Sequence, residues 1–203
     1  ENLRTIHDDA FYDGFQFYGH WSASCLLDAF EKYDTRNKKV AIVGSETPWL
    51  EAILLNLNNK VTTIEYNVPE SNFDNLECKD YFNFFEKNEG EYDTIVTYSS
   101  VEHSGLGRYG DPLDPDGDLK TMKTIHQNLK KDGILIWGAP VGKDCLAWNA
   151  HRIYGEIRLP ILFRGFKELE WINQNKKDLL DLPLQNNSIN PVVVLKKENV
   201  KLN

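Results

Sequence analysis

Residues 39–51 read Lys-Val-Ala-Ile-Val-Gly-Ser-Glu-Thr-Pro-Trp-Leu-Glu, a short apolar run that ends at one glycine and is followed at once by a helical pattern. The run over Val40–Val43 lacks polar alternation, which predicts a strand of a parallel sheet that is covered on both faces. Pro48 suits the first position of a helix, with Thr47 before it as the predicted N-cap. A strand, a glycine and a helix in this order predict a cofactor site, because ligands of open α/β sheets bind outside the carboxyl ends of the strands.

Composition limits the classes of protein to which the chain can belong. Its 203 residues predict one domain that buries roughly 70% of the surface of the unfolded chain. The net charge is −8 and no basic block is present, which argues against nucleic acid as the main partner. No apolar run approaches the ~18 residues that a membrane span needs. Cys25, Cys78 and Cys145 are too few and too scattered for a disulfide framework or a zinc site, and we interpret them as core thiols.

Strand-like and helical segments alternate along the rest of the chain. Ser22 is predicted to cap one helix, and Asp118 is predicted to cap another, with Lys130 and Lys131 in its last turn. The aromatic first twenty residues are predicted to lie over the ligand edge of the sheet. Further strands are predicted at 61–65, 76–78, 92–98, 134–137, 166–172 and 191–196. This order of elements predicts an α/β protein built as a three-layer α/β/α sandwich.

An acidic residue follows the second of these strands. Glu65 stands 21 residues after Gly44, where nucleotide-binding α/β folds place an acid that accepts hydrogen bonds from ribose hydroxyls. Gly44 would let the backbone approach a ligand at a point where a Cβ would clash. Gly44 is a single glycine and does not begin a G-x-G-x-x-G, and the chain has no G-K-[ST], so a nucleoside ligand without phosphates, such as S-adenosylmethionine, is favoured over a dinucleotide or a nucleoside triphosphate. The alternative interpretation is an ordinary tight turn beside a surface glutamate.

Four stretches together resemble the class I S-adenosylmethionine-dependent methyltransferases. They are residues 40–46, 63–66, 92–103 and 129–135. Residues 44–51, 99–118 and 148–155 are further similar to a domain-of-unknown-function branch of that superfamily. The resemblance implies a Rossmann-like methyltransferase fold with a seven-stranded, mostly parallel sheet. It also implies one methyltransferase-like domain over 1–203, in which 1–37 form a cover and a helix, 38–140 bind the cofactor, and 141–203 form an acceptor-side segment and a C-terminal β-hairpin.

The resemblance also implies which residues would bind S-adenosylmethionine. Gly44 and Ser45, with Glu46 beside them, would face the methionine and ribose portions, and Glu65 would hold the ribose hydroxyls. The remaining implied cofactor-binding residues are Tyr66 beside the adenine, and Ser99 and Ser100 between methyl donor and acceptor.

Two histidines are candidates for a catalytic base. A hydroxyl acceptor must lose a proton when it is methylated, and histidine is the side chain best suited to accept one near neutral pH. His103 opens the long loop 99–118, and His151 follows the fifth strand, so both are predicted to lie at the ligand edge. The alternative for each is a hydrogen-bonded loop anchor. His7, His20 and His126 are weaker candidates, and His126 is interpreted as an exposed or packed residue of a helix.

The long loop supplies candidates for binding an acceptor or a metal. A loop of this length at the carboxyl end of a strand is more often functional than not. The predicted acceptor-binding residues are Arg108, Tyr109, Arg152 and Tyr154, which offer guanidinium hydrogen bonds and ring stacking. Asp111, Asp114 and Asp116 offer carboxylates for a divalent metal such as Mg²⁺ or Ca²⁺. The alternative for these carboxylates is a series of turns before a helix.

These features predict an S-adenosylmethionine-dependent O-methyltransferase that acts on a hydroxyl of a small polar acceptor, a sugar or glycan such as fucose. One alternative is a catalytically silent domain that binds cofactor or glycan. The other is a nicotinamide-dependent reductase, against which the single Gly44 and the lack of Tyr-x-x-x-Lys at the fifth strand argue. The thiol pattern fits the cytoplasm, whereas a glycan acceptor fits the secretory-pathway lumen. The chain begins at Glu1 without a methionine, which leaves an upstream signal or anchor open.

Overall fold

A seven-stranded sheet is the centre of this computed structural model, which describes residues 21–87, 90–182 and 190–200. The strand order is β3-β2-β1-β4-β5-β9-β8. The five strands from β3 to β5 are parallel to one another, whereas β9 runs antiparallel to both of its neighbours, β5 and β8. This confirms the predicted mostly parallel sheet. The strands are β1 (Lys39–Val43), β2 (Lys60–Glu65), β3 (Leu76–Asp80), β4 (Tyr92–Tyr98), β5 (Leu129–Gly138), β6 (Cys145–Ala147), β7 (His151–Ile153), β8 (Phe166–Trp171) and β9 (Val193–Lys197).

Helices cover both faces of the sheet. They are α1 (21–32), α2 (Trp49–Asn56), α3 (Tyr81–Lys87), a 3₁₀ turn η1 (Val101–His103), α4 (Gly117–Asn128), α5 (Leu159–Leu162) and α6 (Lys176–Leu180). One apolar cluster joins α1 and α2 to one face of the sheet, and a second joins α3, α4 and α5 to the other. This arrangement confirms the three-layer sandwich. Within the described ranges, no helix is long and apolar enough to cross a membrane.

The strand β1 lies in the middle of the sheet, as its unbroken apolar sequence predicts. Val40, Ala41, Ile42 and Val43 are at most 1% exposed, because β2 and β4 flank β1 and helices cover both of its faces. The chain leaves β1 toward β2 and β3 on one side and continues to β4 and β5 on the other. The carboxyl ends of β1 and β4 therefore form a topological switch point, where ligands of this fold class bind.

A small hairpin of β6 and β7 forms a second sheet that the sequence pattern does not predict. Its strands have three residues each, which is too short for a clear alternation of apolar and polar residues. The hairpin places His151 close to His103, whose ring lies 6.3 Å from that of His151. This hairpin therefore completes one side of the ligand edge.

Three predicted helix ends are wrong. Trp21 is already helical, so Ser22 lies inside α1. The residue before α2 is Pro48, and no side chain caps that helix; Thr47 instead offers its carbonyl to the N–H of Trp49 at 2.8 Å. Asp118 lies inside the first turn of α4, where it is fully buried and bound by Arg158. For Asp118, the ion pair with Arg158 rather than the local polar pattern decides the position of the side chain.

Lys130 and Lys131 belong to β5 and not to the last turn of a helix. The helix α4 ends at Asn128, and pairing of Leu129 with Tyr92 of β4 starts the strand early. The interpretation of the cysteines as core thiols holds for Cys25, which is buried, whereas Cys145 is exposed and Cys78 is intermediate. The predicted N-terminal cover, His7 and His20 lie outside the described residues.

The Asp118 carboxylate joins α4 to the segment after the hairpin. It accepts hydrogen bonds from Nε and Nη2 of Arg158 at 2.8 and 2.6 Å and from the hydroxyl of Tyr154 at 3.1 Å. The Nε atom of the buried Arg152 lies 3.6 Å from it. Breaking a buried ion pair on one side leaves an uncompensated charge.

We expect Asp118→Asn to lower the free energy of unfolding by about 3–5 kcal/mol, measured by urea denaturation. Asp116→Asn is the matched control, because Asp116 is exposed and lies 3.7 Å from the same arginine. That variant should lose less than about 1 kcal/mol. Equal stability of the two variants would show that the buried ion pairs do not stabilise the fold.

Candidate active site

A pocket of about 670 Å³ opens at the carboxyl ends of β1, β2 and β4. It gathers all seven predicted cofactor-binding residues, both candidate bases and two of the four predicted acceptor-binding residues. These lining residues are Gly44, Ser45, Glu46, Glu65, Tyr66, Ser99, Ser100, His103, His151, Arg108 and Tyr109. The topological switch point and the pocket therefore coincide.

Gly44 forms the turn that separates β1 from the pocket. Its N–H donates to the carbonyl of Ile64 at 3.1 Å, and its φ of +82° lies in the region that favours glycine. A Cβ at this position would come within 2.0 Å of the Ser100 hydroxyl oxygen. The close approach of β1 and β4 therefore requires glycine here.

The carboxylate of Glu65 joins the end of β2 to that turn. One oxygen accepts a hydrogen bond from the N–H of Ser45, and the other accepts from the N–H of Tyr66 at 3.1 Å. Glu65 is neither fully buried nor fully exposed, so its carboxylate still faces the pocket. The predicted pairing of a turn and a downstream acid is thus present at one edge of the sheet.

Aromatic rings flank this acidic end. The rings of Tyr66 and Tyr81 lie 4.2 Å apart between centroids, and Phe82 meets Tyr66 edge to face. Burial raises the pKa of the Tyr66 hydroxyl, so it stays protonated at neutral pH. Tyr81 also lines the pocket, although the sequence reasoning assigned it no role. Its position directly after β3, matching that of Tyr66 after β2, is the signal that could have identified it.

Behind the pocket, Glu102 is a carboxyl group that is only 1% exposed. Its Oε1 atom accepts a hydrogen bond from the hydroxyl of Ser99 at 3.0 Å, and its buried Oε2 atom has no hydrogen-bond partner among the described residues. Burial raises its pKa to about 7, and hydrogen bonds from the backbone and from Ser99 oppose that shift. The sequence reasoning did not assign Glu102 a role, because the burial of a residue at a strand end depends on the loop that covers it.

His103 lines the pocket, and a hydrogen bond at one ring nitrogen holds the ring in place. Its Nδ1 atom lies 2.5 Å from the carbonyl oxygen of Ala150, and a carbonyl can only accept, so Nδ1 carries the proton. The Nε2 atom is then the basic nitrogen, and it lies 3.6 Å from Oε1 of Glu102. Burial lowers the pKa of His103, which favours the neutral ring. A neutral imidazole with a fixed tautomer can accept a proton at Nε2.

His151 lies on β7 beside His103. Burial, followed by repulsion from Arg108, lowers its pKa. Its ring meets that of His103 edge to face, and no hydrogen bond fixes its tautomer within the described residues. Of the two candidate bases, His103 is therefore the one whose orientation is determined by the fold.

The structure does not place two of the predicted acceptor-binding residues, Arg152 and Tyr154, at this pocket. Arg152 is 5% exposed and donates to the carbonyls of Ser104 and Pro115 at 2.6 and 3.2 Å. Tyr154 is fully buried, and its hydroxyl donates to Asp118. Successive residues of a strand point to opposite faces, so β7 directs Arg152 away from the side on which His151 lies. Both residues anchor the loop that follows β4.

The three predicted metal ligands are not brought together. Asp111 is 6% exposed, and its carboxylate accepts from the N–H groups of Gly105, Gly107 and Tyr109 at 2.6, 3.2 and 3.2 Å. Asp114 instead binds the N–H of Asp116 and the side chain of Lys120. Across the part of the chain that the structure describes, no three acidic, histidine or cysteine residues form a group that could hold a metal ion. The carboxylates of this loop shape its turns, which was the alternative interpretation.

His126 is packed rather than exposed. It is 5% exposed, with Nε2 lying 3.0 Å from the carbonyl oxygen of Glu198 and the ring edge to face with Phe166. It lies outside the pocket.

Comparison with protein families identifies the group to which the core corresponds. The family model described as "Caenorhabditis protein of unknown function, DUF268" matches residues 37–202. No curated protein is similar enough in sequence to count as a match.

Solved structures share the fold at low sequence identity. The 1,6-didemethyltoxoflavin-N1-methyltransferase of Burkholderia thailandensis, solved with S-adenosylhomocysteine, is 17% identical with a TM-score of 0.66, over 97% of this chain and 88% of that chain. A TehB-like S-adenosylmethionine-dependent methyltransferase of Corynebacterium glutamicum is 18% identical with a TM-score of 0.58, over 86% and 88% of the two chains. The N-methyltransferase NodS of Bradyrhizobium japonicum is 12% identical with a TM-score of 0.58, over 88% and 94%. The fold is therefore the Rossmann-like fold of class I methyltransferases, and the activities named belong to those proteins.

The raised pKa of Glu102 predicts a pH-dependent contribution to stability. The unfolded chain releases this proton near pH 4.5, whereas the folded chain holds it to about pH 7. The folded state binds more protons between these values, so stability from this group falls as pH rises through that window. The Glu102→Gln variant lacks this loss. The difference in unfolding free energy between the variant and the wild type should therefore shift by roughly 3 kcal/mol in favour of the variant from pH 4.5 to pH 8.

Urea denaturation at several pH values measures this difference. Glu77→Gln is the control, because Glu77 is exposed and its variant should show the same pH dependence as the wild type. If the free energy of unfolding depends on pH in the same way for Glu102→Gln and the wild type, Glu102 ionises in the folded protein as readily as in the unfolded chain.

Proposed function

We propose that this chain, which belongs to the family DUF268 and has the fold of class I methyltransferases, is an S-adenosylmethionine-dependent O-methyltransferase. Its proposed acceptor is a hydroxyl of a small polar molecule, a sugar or glycan such as fucose. One observation carries the proposal. The pocket has the Gly44 turn and the Glu65 carboxylate at one end, and a neutral histidine with a fixed tautomer at the other.

The acidic end fits the adenosyl portion of S-adenosylmethionine. Glu65 offers carboxylate oxygens for ribose hydroxyls, and the Tyr66 ring offers a flat face for the adenine. The Gly44 turn lines the pocket with backbone alone, which a ligand can approach without meeting a side chain at that residue. When bound, S-adenosylmethionine supplies a methyl carbon on a positively charged sulfur, to which the acceptor oxygen bonds as the carbon–sulfur bond breaks.

The histidine end fits a hydroxyl acceptor. The hydroxyl proton passes to Nε2 of His103, while the N–H of Nδ1 continues to donate to the carbonyl of Ala150 and keeps the ring oriented. The carboxyl group of Glu102 lies 3.6 Å from Nε2, so its ionised form would stabilise the resulting imidazolium. Two of the similar structures are named for transfer to nitrogen. The oxygen acceptor here is supported by this base, because a hydroxyl must lose its proton to become methylated.

Glu65→Gln should weaken the binding of S-adenosylmethionine. The amide keeps the size of the side chain and removes one or two charge-assisted hydrogen bonds to the ribose. Each such bond contributes about 1.5–3 kcal/mol, so we expect a roughly 10- to 150-fold higher Kd by calorimetry for each bond that is lost. The exposed Glu77→Gln should bind as the wild type does, and equal Kd values for both variants would remove Glu65 from the cofactor site.

His103→Ala should abolish turnover without loss of cofactor affinity. General base catalysis contributes typically 10²–10⁴-fold, so we expect a fall of this order in the rate of S-adenosylhomocysteine release with an acceptor present. His151→Ala is the comparison, because it alters the same pocket without removing the oriented base. If His103→Ala stays fully active and His151→Ala does not, His151 is the base.

A catalytically silent binding domain would give a different result when cofactor binding and S-adenosylhomocysteine release are measured. A binding module would bind S-adenosylmethionine and release no S-adenosylhomocysteine with any hydroxyl acceptor. A screen of sugars and glycosides with the methyl donor, with and without Mg²⁺, therefore decides between an enzyme and a module.

A further inference from the structure

An unpaired arginine lies at the acceptor end of the pocket. Arg108 is exposed and makes no ion pair or side-chain hydrogen bond within the described residues. Its guanidinium carbon lies 5.6 Å from the centre of the Tyr109 ring. Other cations of the chain, such as Lys120, Lys130 and Arg158, have acidic partners. The site therefore holds a guanidinium fork that the protein itself does not neutralise.

The acidic groups around the pocket are not available to Arg108. The Asp111 carboxylate is taken by three backbone N–H groups, and that of Glu65 is bound at the cofactor end by Ser45 and Tyr66. Glu102 is buried behind His103, and Glu46 lies on the turn after β1 at the cofactor end. The acceptor end thus combines the positive charge of Arg108 with two imidazoles and one carboxylate, that of Asp111, whose oxygens are held by backbone N–H groups.

The positive charge acts on both histidines. Repulsion from Arg108 contributes to the lowered pKa of His103 and to that of His151, so the guanidinium lies close enough to influence both rings. The Tyr109 ring lies 5.4 Å from the His103 ring and provides a flat surface between the base and the arginine. A ligand that occupies this end would contact the base, the aromatic ring and the guanidinium together.

We propose that the acceptor carries a carboxylate or sulfate group close to the hydroxyl that is methylated, and that Arg108 binds this anionic group. The inference rests on the proposed function, which it narrows from polar acceptors in general to acidic ones such as uronic acids and sulfated sugars. A guanidinium presents its donors in a planar fork that matches two oxygens of such a group. His151 lies beside the fork and can donate a further hydrogen bond, whereas the ring of the acceptor packs on Tyr109.

Binding of matched sugars tests the proposal without requiring turnover. The Kd values of D-glucuronate and D-glucose, and of D-galacturonate and D-galactose, are measured by calorimetry on the wild-type protein with S-adenosylhomocysteine present. The variants are Arg108→Ala and, as the matched control, Arg164→Ala. Arg164 is an exposed arginine outside the pocket, between α5 and β8.

We expect at least one of the two acids to bind 10-fold or more tightly than its neutral partner. This ratio should fall below 3-fold in Arg108→Ala and persist in Arg164→Ala. Rising salt should reduce the ratio, because the contact is between charges. The proposal is overturned if neither acid binds more tightly than its neutral partner, or if the preference survives in Arg108→Ala.

Release of S-adenosylhomocysteine, measured on the same proteins with S-adenosylmethionine, separates this proposal from the proposed function. If the acids bind more tightly only when Arg108 is present, but no hydroxyl acceptor yields S-adenosylhomocysteine, the anion site is supported and the proposed methyl transfer is wrong. Equal product formation from neutral and acidic sugars, with no difference in Kd, would retain methyl transfer and reject the anion site.

Discussion

The carboxylate of Glu65 links the ends of the neighbouring strands β1 and β2, and the shape of the pocket depends on this link. It accepts hydrogen bonds from the N–H groups of Ser45 and Tyr66, which belong to the ends of β1 and β2. Ser100, after β4, packs so closely on Gly44 that no side chain fits between them. Three parallel strands are thereby held with their carboxyl ends around one cavity, and any ligand must accommodate this frame.

Much of this frame follows from the sequence because it depends on local patterns and on one rule of topology. The apolar run over Val40–Val43 and the pattern over Tyr92–Tyr98 each identify a buried strand. In a parallel sheet the carboxyl ends of the strands meet at the same edge, so Gly44, Glu65 and Ser99 had to lie near one another. The fold class and the gathering of these residues at one edge of the sheet could therefore be predicted.

The rest of the site depends on contacts between distant segments, which no local pattern encodes. Arg152 follows His151 directly, yet only the hairpin decides that one side chain is buried under the loop and the other faces the pocket. Asp111 has the residue type of a metal ligand, but the turns around it supply backbone donors to both carboxylate oxygens. Lys130 fits a helix end locally, whereas pairing between strands places it in β5. Burial, and not residue type, separates these outcomes.

The bond that orients His103 comes from the main chain of Ala150. Every amino acid carries this carbonyl, so the side chain at position 150 is free to vary without loss of the tautomer. Side-chain scanning of the β6–β7 segment would consequently overlook its contribution, whereas shortening the hairpin would release the imidazole. Proteins that share this architecture can thus diverge in the hairpin's sequence and still retain its length.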